Sequence, residues 1–372
     1  MKKSKIIYII LILVIYTILN NNSGVLISIS RKNYKGQKYL RASDSLIALS
    51  NSRTQNFEES DKTNMYTFGH SETNNSPEII DYRFLNRSSA NYAYFNCKSE
   101  DKSSCELWRI IGVFYVEDEN QNYEYRIKLI RNESIGKFVF DETNADFGLS
   151  SIKNYLNNDY YNSLSETSKK LIGKAKYYTA GDNLTSYNAT TFYNAERSSK
   201  TNGSKDYVGN IGLIYPSDFL YSYYNVERKC LNDLENCTKS DMSWMNNIAS
   251  NQIWTISPVI GTNQIYTISN KNIEKTTIND SIEVYPVVYL KYNSILSSGN
   301  GTYADPYEIR ILNNSEIQKE SEMNTNGLAK DSVLVDDTLS NKSIVIIIIS
   351  AVLVISGGFL IIKLYINKKK IK

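Results

Sequence analysis

The sequence predicts an α+β domain of mainly β content, set between two apolar ends. Three observations lead there. Between about residues 107 and 310, runs rich in β-branched and aromatic residues recur, some alternating apolar and charged at period two. Two short helical patterns with capping residues fall in the first half of that stretch. The 372 residues suffice for one large domain or two small ones, and the ends differ in composition from the middle.

The first strong strand pattern is Leu107-Trp-Arg-Ile-Ile-Gly-Val-Phe-Tyr-Val, and Tyr125-Arg-Ile-Lys-Leu-Ile follows with apolar and basic residues alternating. Asp118-Glu-Asn-Gln-Asn between them is turn-like, so the pair reads as a long hairpin. Ile152, Tyr155 and Leu156 then recur at i, i+3, i+4 behind Ser150 and Ser151, which are capping residues. A second helix is expected to start at Ser165, with Glu166 in its first turn, Lys169 and Lys170 late, and Gly173 past its end. Further strands are expected at 208–215, 254–260, 264–269, 283–290 and 307–310.

The ends imply a membrane. Residues 344–362 are apolar except for Ser350 and Ser356, and as a helix they would span about 28 Å, close to the hydrocarbon thickness. Five lysines in the last ten residues place the C-terminus in the cytoplasm. Gly357 and Gly358 have no small residue four positions away, so no strong dimer motif is present in the span. At the other end, Lys2, Lys3 and Lys5 precede an apolar run over 6–19 that reaches only about 21 Å as a helix. That is the pattern of a secretory signal, although no Ala-x-Ala follows, and an uncleaved anchor is the alternative. Both place the body outside the cell.

The expected organisation is therefore a signal peptide or N-terminal anchor over 1–24, a flexible polar lead-in over 25–75, and an extracellular domain over 76–310. An acidic stalk over 311–342, a transmembrane helix over 343–363 and a basic tail over 364–372 complete it. Without the eight terminal lysines, 34 basic residues face 39 acidic ones, which argues against a nucleic-acid partner despite a whole-chain charge of +3. The 30 tyrosines suit a surface for glycan or protein ligands. Their abundance beside Asn, Ile and Lys also follows from AT-rich coding.

Four cysteines, Cys97, Cys105, Cys230 and Cys237, favour disulfides outside the cell, with local pairs Cys97–Cys105 and Cys230–Cys237. Seven and six intervening residues are too many for the usual paired ligands of a four-thiolate zinc site. The single histidine, His70, falls in the polar lead-in, which speaks against Ser-His-Asp and Cys-His chemistry. No nucleophile elbow, P-loop or dinucleotide glycine motif occurs, so no cofactor is expected. Ser134-Ile-Gly-Lys137 matches Ser-x-x-Lys without its partner motifs. The acidic loops at 117–119 and 141–146 lack EF-hand spacing and read as solvated turns. Trp108 and Trp254 sit in apolar strands and are assigned to the core, whereas Trp244 in Asp241-Met-Ser-Trp-Met-Asn-Asn is the one expected at a binding surface.

Several segments together resemble an uncharacterised domain family of surface proteins in low-GC gut Firmicutes and Mollicute-related bacteria. They are Tyr94-Phe-Asn-Cys, Cys105-Glu-Leu-Trp-Arg-Ile-Ile-Gly-Val-Phe, Arg126-Ile-Lys-Leu-Ile-Arg-Asn-Glu-Ser, Gly212-Leu-Ile-Tyr-Pro-Ser-Asp-Phe, Trp254-Thr-Ile-Ser-Pro, Val284-Tyr-Pro-Val-Val-Tyr-Leu-Lys and Gly299-Asn-Gly-Thr-Tyr-Ala-Asp-Pro-Tyr. They cover about 80–310. Where that pattern has Trp-Ser after an Asp, this chain has Phe147-Gly148 after Asp146. The resemblance implies the same local cysteine pairs and, more remotely, a C-type-lectin-like or sulfatase-modifying-factor-like fold, and it implies no activity. The expectation is an extracellular binding or adhesion module, with a carboxylate-dependent enzyme or a structural envelope protein as alternatives.

Overall fold

The computed structural model describes residues 41–51, 65–70, 79–85, 87–185, 187–197, 206–223 and 243–317. They form a mixed α+β domain, mostly β, with a few short helices. The predicted segments 6–19 and 344–362, and Cys230 and Cys237, lie outside the described residues. Among the described residues no helix is long and apolar enough to cross a membrane.

The main sheet grows from the predicted hairpin. Strands β4 (Glu106–Glu117) and β5 (Tyr123–Arg131) pair antiparallel, with Tyr115 opposite Tyr125 and a register shift between Ile110 and Gly112. On one side lie β3 (Tyr92–Phe95), β16 (Tyr307–Ile311) and β15 (Ser294–Ser298); on the other lie β14 (Val287–Tyr289) and β9 (Ile211–Gly212). A further hairpin, β1 (Met65–His70) and β2 (Ile79–Phe84), attaches through β2 to β4. Gly112 permits that attachment, because a Cβ there would collide with the Tyr82 carbonyl.

A second sheet has the order β12 (Asn272–Thr277), β11 (Gln264–Ser269), β10 (Ile253–Val259), β13 (Ile282–Glu283), β6 (Lys137–Phe138). Strands β7 (Ala175–Tyr177) and β8 (Tyr207–Gly209) form a separate pair. Every residue of β10 is buried, Trp254 included, as its unbroken apolar and small-polar run requires.

The helices begin where the caps predicted. Ser150 accepts from the Lys153 N–H ahead of α2 (Ser151–Tyr155), and Ser165 accepts from the Ser168 N–H ahead of α3 (Glu166–Leu171). A π turn over Leu156–Tyr160 extends the first of these. Helices α4 (Ala189–Glu196) and α5 (Pro216–Leu220) pack on each other. Proline at N1 suits the start of α5, where an N–H would have no helical partner.

Parts of the lead-in, expected to be flexible, are ordered. Helix α1 (Ala42–Asn51) packs on β1, β2, β4, β5 and β15, with Ala42 and Leu46 completely buried at i, i+4. At the other boundary, Glu316 falls in the predicted stalk but is buried, with both carboxylate oxygens on Arg310 at 2.7 and 2.8 Å. The strand expected at 208–215 breaks at Asn210, whose N–H goes to Asn157 Oδ1 at 3.2 Å. The one expected at 283–290 splits into β13 and β14 on either side of Pro286, which has no N–H to donate.

Candidate functional site

Buried charge marks the interface between β2, β5 and the two helices α4 and α5. Asp81 and Arg83 stand two apart on β2 and so share one face of the sheet. Arg83 Nη2 lies 2.8 Å from Asp81 Oδ2, and its Nη1 lies 2.8 Å from Oδ1 of Asp218 on α5. Lys128 on β5 completes the set, with Nζ 2.5 Å from Asp218 Oδ2. That oxygen also accepts from the Tyr215 N–H at 3.2 Å, which fixes the first turn of α5. All four charged side chains are almost fully buried.

Aromatic rings wall the cluster. The Arg83 guanidinium lies 4.5 Å from the Phe114 ring and 4.8 Å from that of Tyr221, and the Lys128 ammonium lies 4.0 Å from the Tyr215 ring. Beside them, Glu196 at the end of α4 accepts from Ser217 N at 2.9 Å, from Ser217 Oγ at 2.5 Å and from Arg197 Nη1 at 3.2 Å. His70 closes one side, with Nε2 3.3 Å from Asp81 Oδ2 and its ring stacked on Tyr193 at 3.6 Å.

These surroundings move the ionisations in both directions. Burial alone would raise Asp81, but Arg83, His70 and Arg197 together outweigh it and the carboxyl is held at about 2. Asp218 is likewise held below its ordinary value, Lys128 and Arg83 overcoming burial. Burial brings Lys128 down to about 8 against the pull of Asp218. It pushes Glu196 up to about 7, with Arg197 and Ser217 opposing. It also lowers His70, against the pull of the Asp81 carboxylate beside it.

The carboxylates here are engaged by cations and backbone donors, so the cluster fastens strands to helices. It offers no carboxyl pair free for acid–base work. An open cleft of about 320 Å³ at one end of the main sheet gathers charge differently. Asp118, Glu119 and Glu124 line it with Arg41, Arg126, Lys174 and Lys291. Glu124 pairs with Arg126 at 2.6 Å and Glu119 with Lys174 at 2.9 Å. Asp118 accepts from the N–H groups of Asn120 at 2.7 Å and Asn122 at 2.9 Å, and these hold its carboxyl below the usual range. Asp118 therefore lacks the raised carboxyl that a catalytic acid needs.

The residues singled out from the sequence are dispersed. Cys97 and Cys105 are joined across a loop whose residues 98–103 are exposed, between β3 and β4. Ser134 donates to the Glu283 carboxylate and Lys137 lies on β6, so Ser-x-x-Lys assembles no nucleophile with its base. In the second acidic loop, Asp141 accepts from the N–H groups of Thr143, Asn144 and Ser151, and Asp146 from that of Gly148. Trp108 and Trp254 are buried as expected. Trp244 is buried too, contrary to its polar neighbourhood, because its indole N–H reaches the Phe84 carbonyl at 2.8 Å.

His70 belongs to strand β1, with its ring against two helices. The buried ionic set was not visible as a set, since Arg83 and Asp218 are 135 positions apart. The sequence clue was charge inside otherwise apolar strands, as at Lys128 in Arg126-Ile-Lys-Leu-Ile.

No protein-family model, no curated protein and no solved structure matches this chain.

Proposed function

We propose that this chain is a membrane-anchored protein of a bacterial cell surface whose described domain binds a glycan or protein ligand outside the cell. The Cys97–Cys105 disulfide carries this reading. It crosses a solvent-facing loop, and such bonds persist in oxidising compartments. The basic N-terminal apolar segment, the apolar span at 344–362 and the lysines behind it supply the anchoring half. A second disulfide, Cys230–Cys237, and a remote C-type-lectin-like or sulfatase-modifying-factor-like fold belong to the same proposal.

Thiol labelling and protease shaving of intact cells test it together. Expected are four cysteines blocked to alkylation before reduction, and removal of the domain by external protease with the C-terminal tail protected. Free thiols in protein from the native membrane, or a protected domain, would overturn the placement. Binding is tested by glycan and surface-protein arrays with the purified full-length chain.

A carboxylate-dependent enzyme is the second reading, favoured by the convergence of Asp118, Glu119 and Glu124 on the cleft. Cleavage of envelope or host polymers that is lost in Glu124→Gln would establish it over binding alone.

A further inference from the structure

We propose that His70 is an acid-released latch: a neutral imidazole holds the end of β1 on α4 and α5, and its protonation frees that end. His70 is the last residue of β1, paired with Ile79 where the hairpin opens. Among the described residues β1 pairs with β2 alone, so side chains do much of the work of holding it down. Two side chains of β1 make ring contacts with the helices and the turn after α5. Phe68 lies 4.5 Å from the Tyr221 ring of the turn after α5. The His70 ring lies on Tyr193 of α4 at 3.6 Å, with the planes 8° apart, and meets Tyr221 edge-on at 5.7 Å.

A positive charge on that ring would be buried, and it would share the Asp81 carboxylate with Arg83 on one side and face Arg197 across the Tyr193 ring on the other. On the β2 side, Nε2 faces Asp81 Oδ2 at 3.3 Å, and the same oxygen already takes Arg83 Nη2 at 2.8 Å. On the α4 side, the Tyr193 ring that His70 stacks on also carries the Arg197 guanidinium at 3.5 Å. The charged and titratable groups packed around the imidazole are thus Asp81 and Arg83 from β2, Tyr193 and Arg197 from α4, and Tyr221 after α5.

The wider cluster balances only when His70 is neutral. With all carboxylates ionised, Asp81, Asp218 and Glu196 stand against Arg83, Lys128 and Arg197. Protonating His70 adds a fourth cation to a buried set with three anions, where an unpaired charge is costly. The side chain is only 11% exposed, enough for a proton to reach it and too little for water to solvate the cation.

The single histidine in the chain makes the experiment clean. Hydrogen–deuterium exchange of the full-length chain in detergent micelles, read by mass spectrometry from about pH 7.5 down to about pH 5, follows the backbone of β1 and the imidazole C2 position together. The expected result is a several-fold rise in corrected exchange over Met65–His70, tracking the imidazole titration, while β5 stays protected. His70→Phe keeps the ring but not the proton, and should hold β1 protected throughout. If that variant does not fold, Arg197→Gln removes one opposing cation, and release should move to lower pH. Unchanged β1 exchange once the imidazole is protonated would overturn the latch. So would release in His70→Phe equal to that in the unaltered chain, or no displacement in Arg197→Gln.

Discussion

Arg83 and Asp218 meet in the interior at 2.8 Å, joining β2 to the first turn of α5 across 135 residues of chain. Asp218 serves two cations at once, Arg83 through Oδ1 and Lys128 through Oδ2. Removing it leaves Lys128 without its carboxylate and Arg83 with Asp81 alone, in a buried, aromatic-walled space. Asp218→Asn should therefore destabilise the domain by about 3–5 kcal/mol, the cost of breaking a buried ion pair from one side. Urea unfolding would show it as a lower midpoint with unchanged slope. A loss under about 1 kcal/mol, the range of exposed pairs, would mean the cluster is far wetter than its burial indicates.

Helix α1 makes the second prediction, because it places part of the N-terminal lead-in inside the fold. Leu46 has no exposed surface, and the helix contacts five strands. Leu46→Ala should cost about 2–5 kcal/mol, as a buried leucine does and a flexible leader residue does not. Thermal melting of the full-length variant measures it.

The contrast between α1 and β4–β5 shows what the sequence made legible. Long β-branched and aromatic runs announced β4, β5, β10 and β11, since their patterns are strong and their pairings mostly local. Caps announced α2 and α3 through Ser150 and Ser165. Helix α1 was hidden because the polar Ser43 and Ser50 share its buried face with Ala42 and Leu46, while Ile47 and Leu49 are only partly covered, so no clean apolar stripe shows. Its order comes from tertiary burial, which overrides weak local preference. The ionic cluster was hidden for another reason: each charge lies in a different element, and only the fold brings them together. Trp244 misled because its neighbours in sequence are polar while its neighbours in space are Phe84 and the core.

The disulfide gives the third prediction. Cys97 and Cys105 are eight positions apart and close a small loop. Replacing both with serine should cost about 2–3 kcal/mol through the extra freedom of the unfolded chain. The expected loss is the same in oxidising buffer, while added reductant should weaken the unaltered chain and leave the double variant's Cys97–Cys105 loop unaffected. Comparing melting temperatures with and without reductant separates this bond from any other in the chain.

Glu196 and His70 impose opposite pH dependences on the same domain. The Glu196 carboxyl is raised from 4.5 to about 7 in the folded chain, so the folded state holds its proton more tightly than the unfolded one. Its favourable contribution is complete below pH 4.5 and is lost as pH rises through 7. His70 is lowered from 6.5, so its contribution is present above that value and is lost as pH falls through the folded value. Glu196→Gln keeps much of the shape and removes one titration. The variant should lose the decline in stability that the unaltered chain shows between pH 4.5 and 7, leaving the acid-side loss from His70 exposed. Denaturation midpoints taken across that interval decide it. Parallel curves for the two proteins would mean that Glu196 is ionised throughout, with Arg197 and Ser217 outweighing its burial.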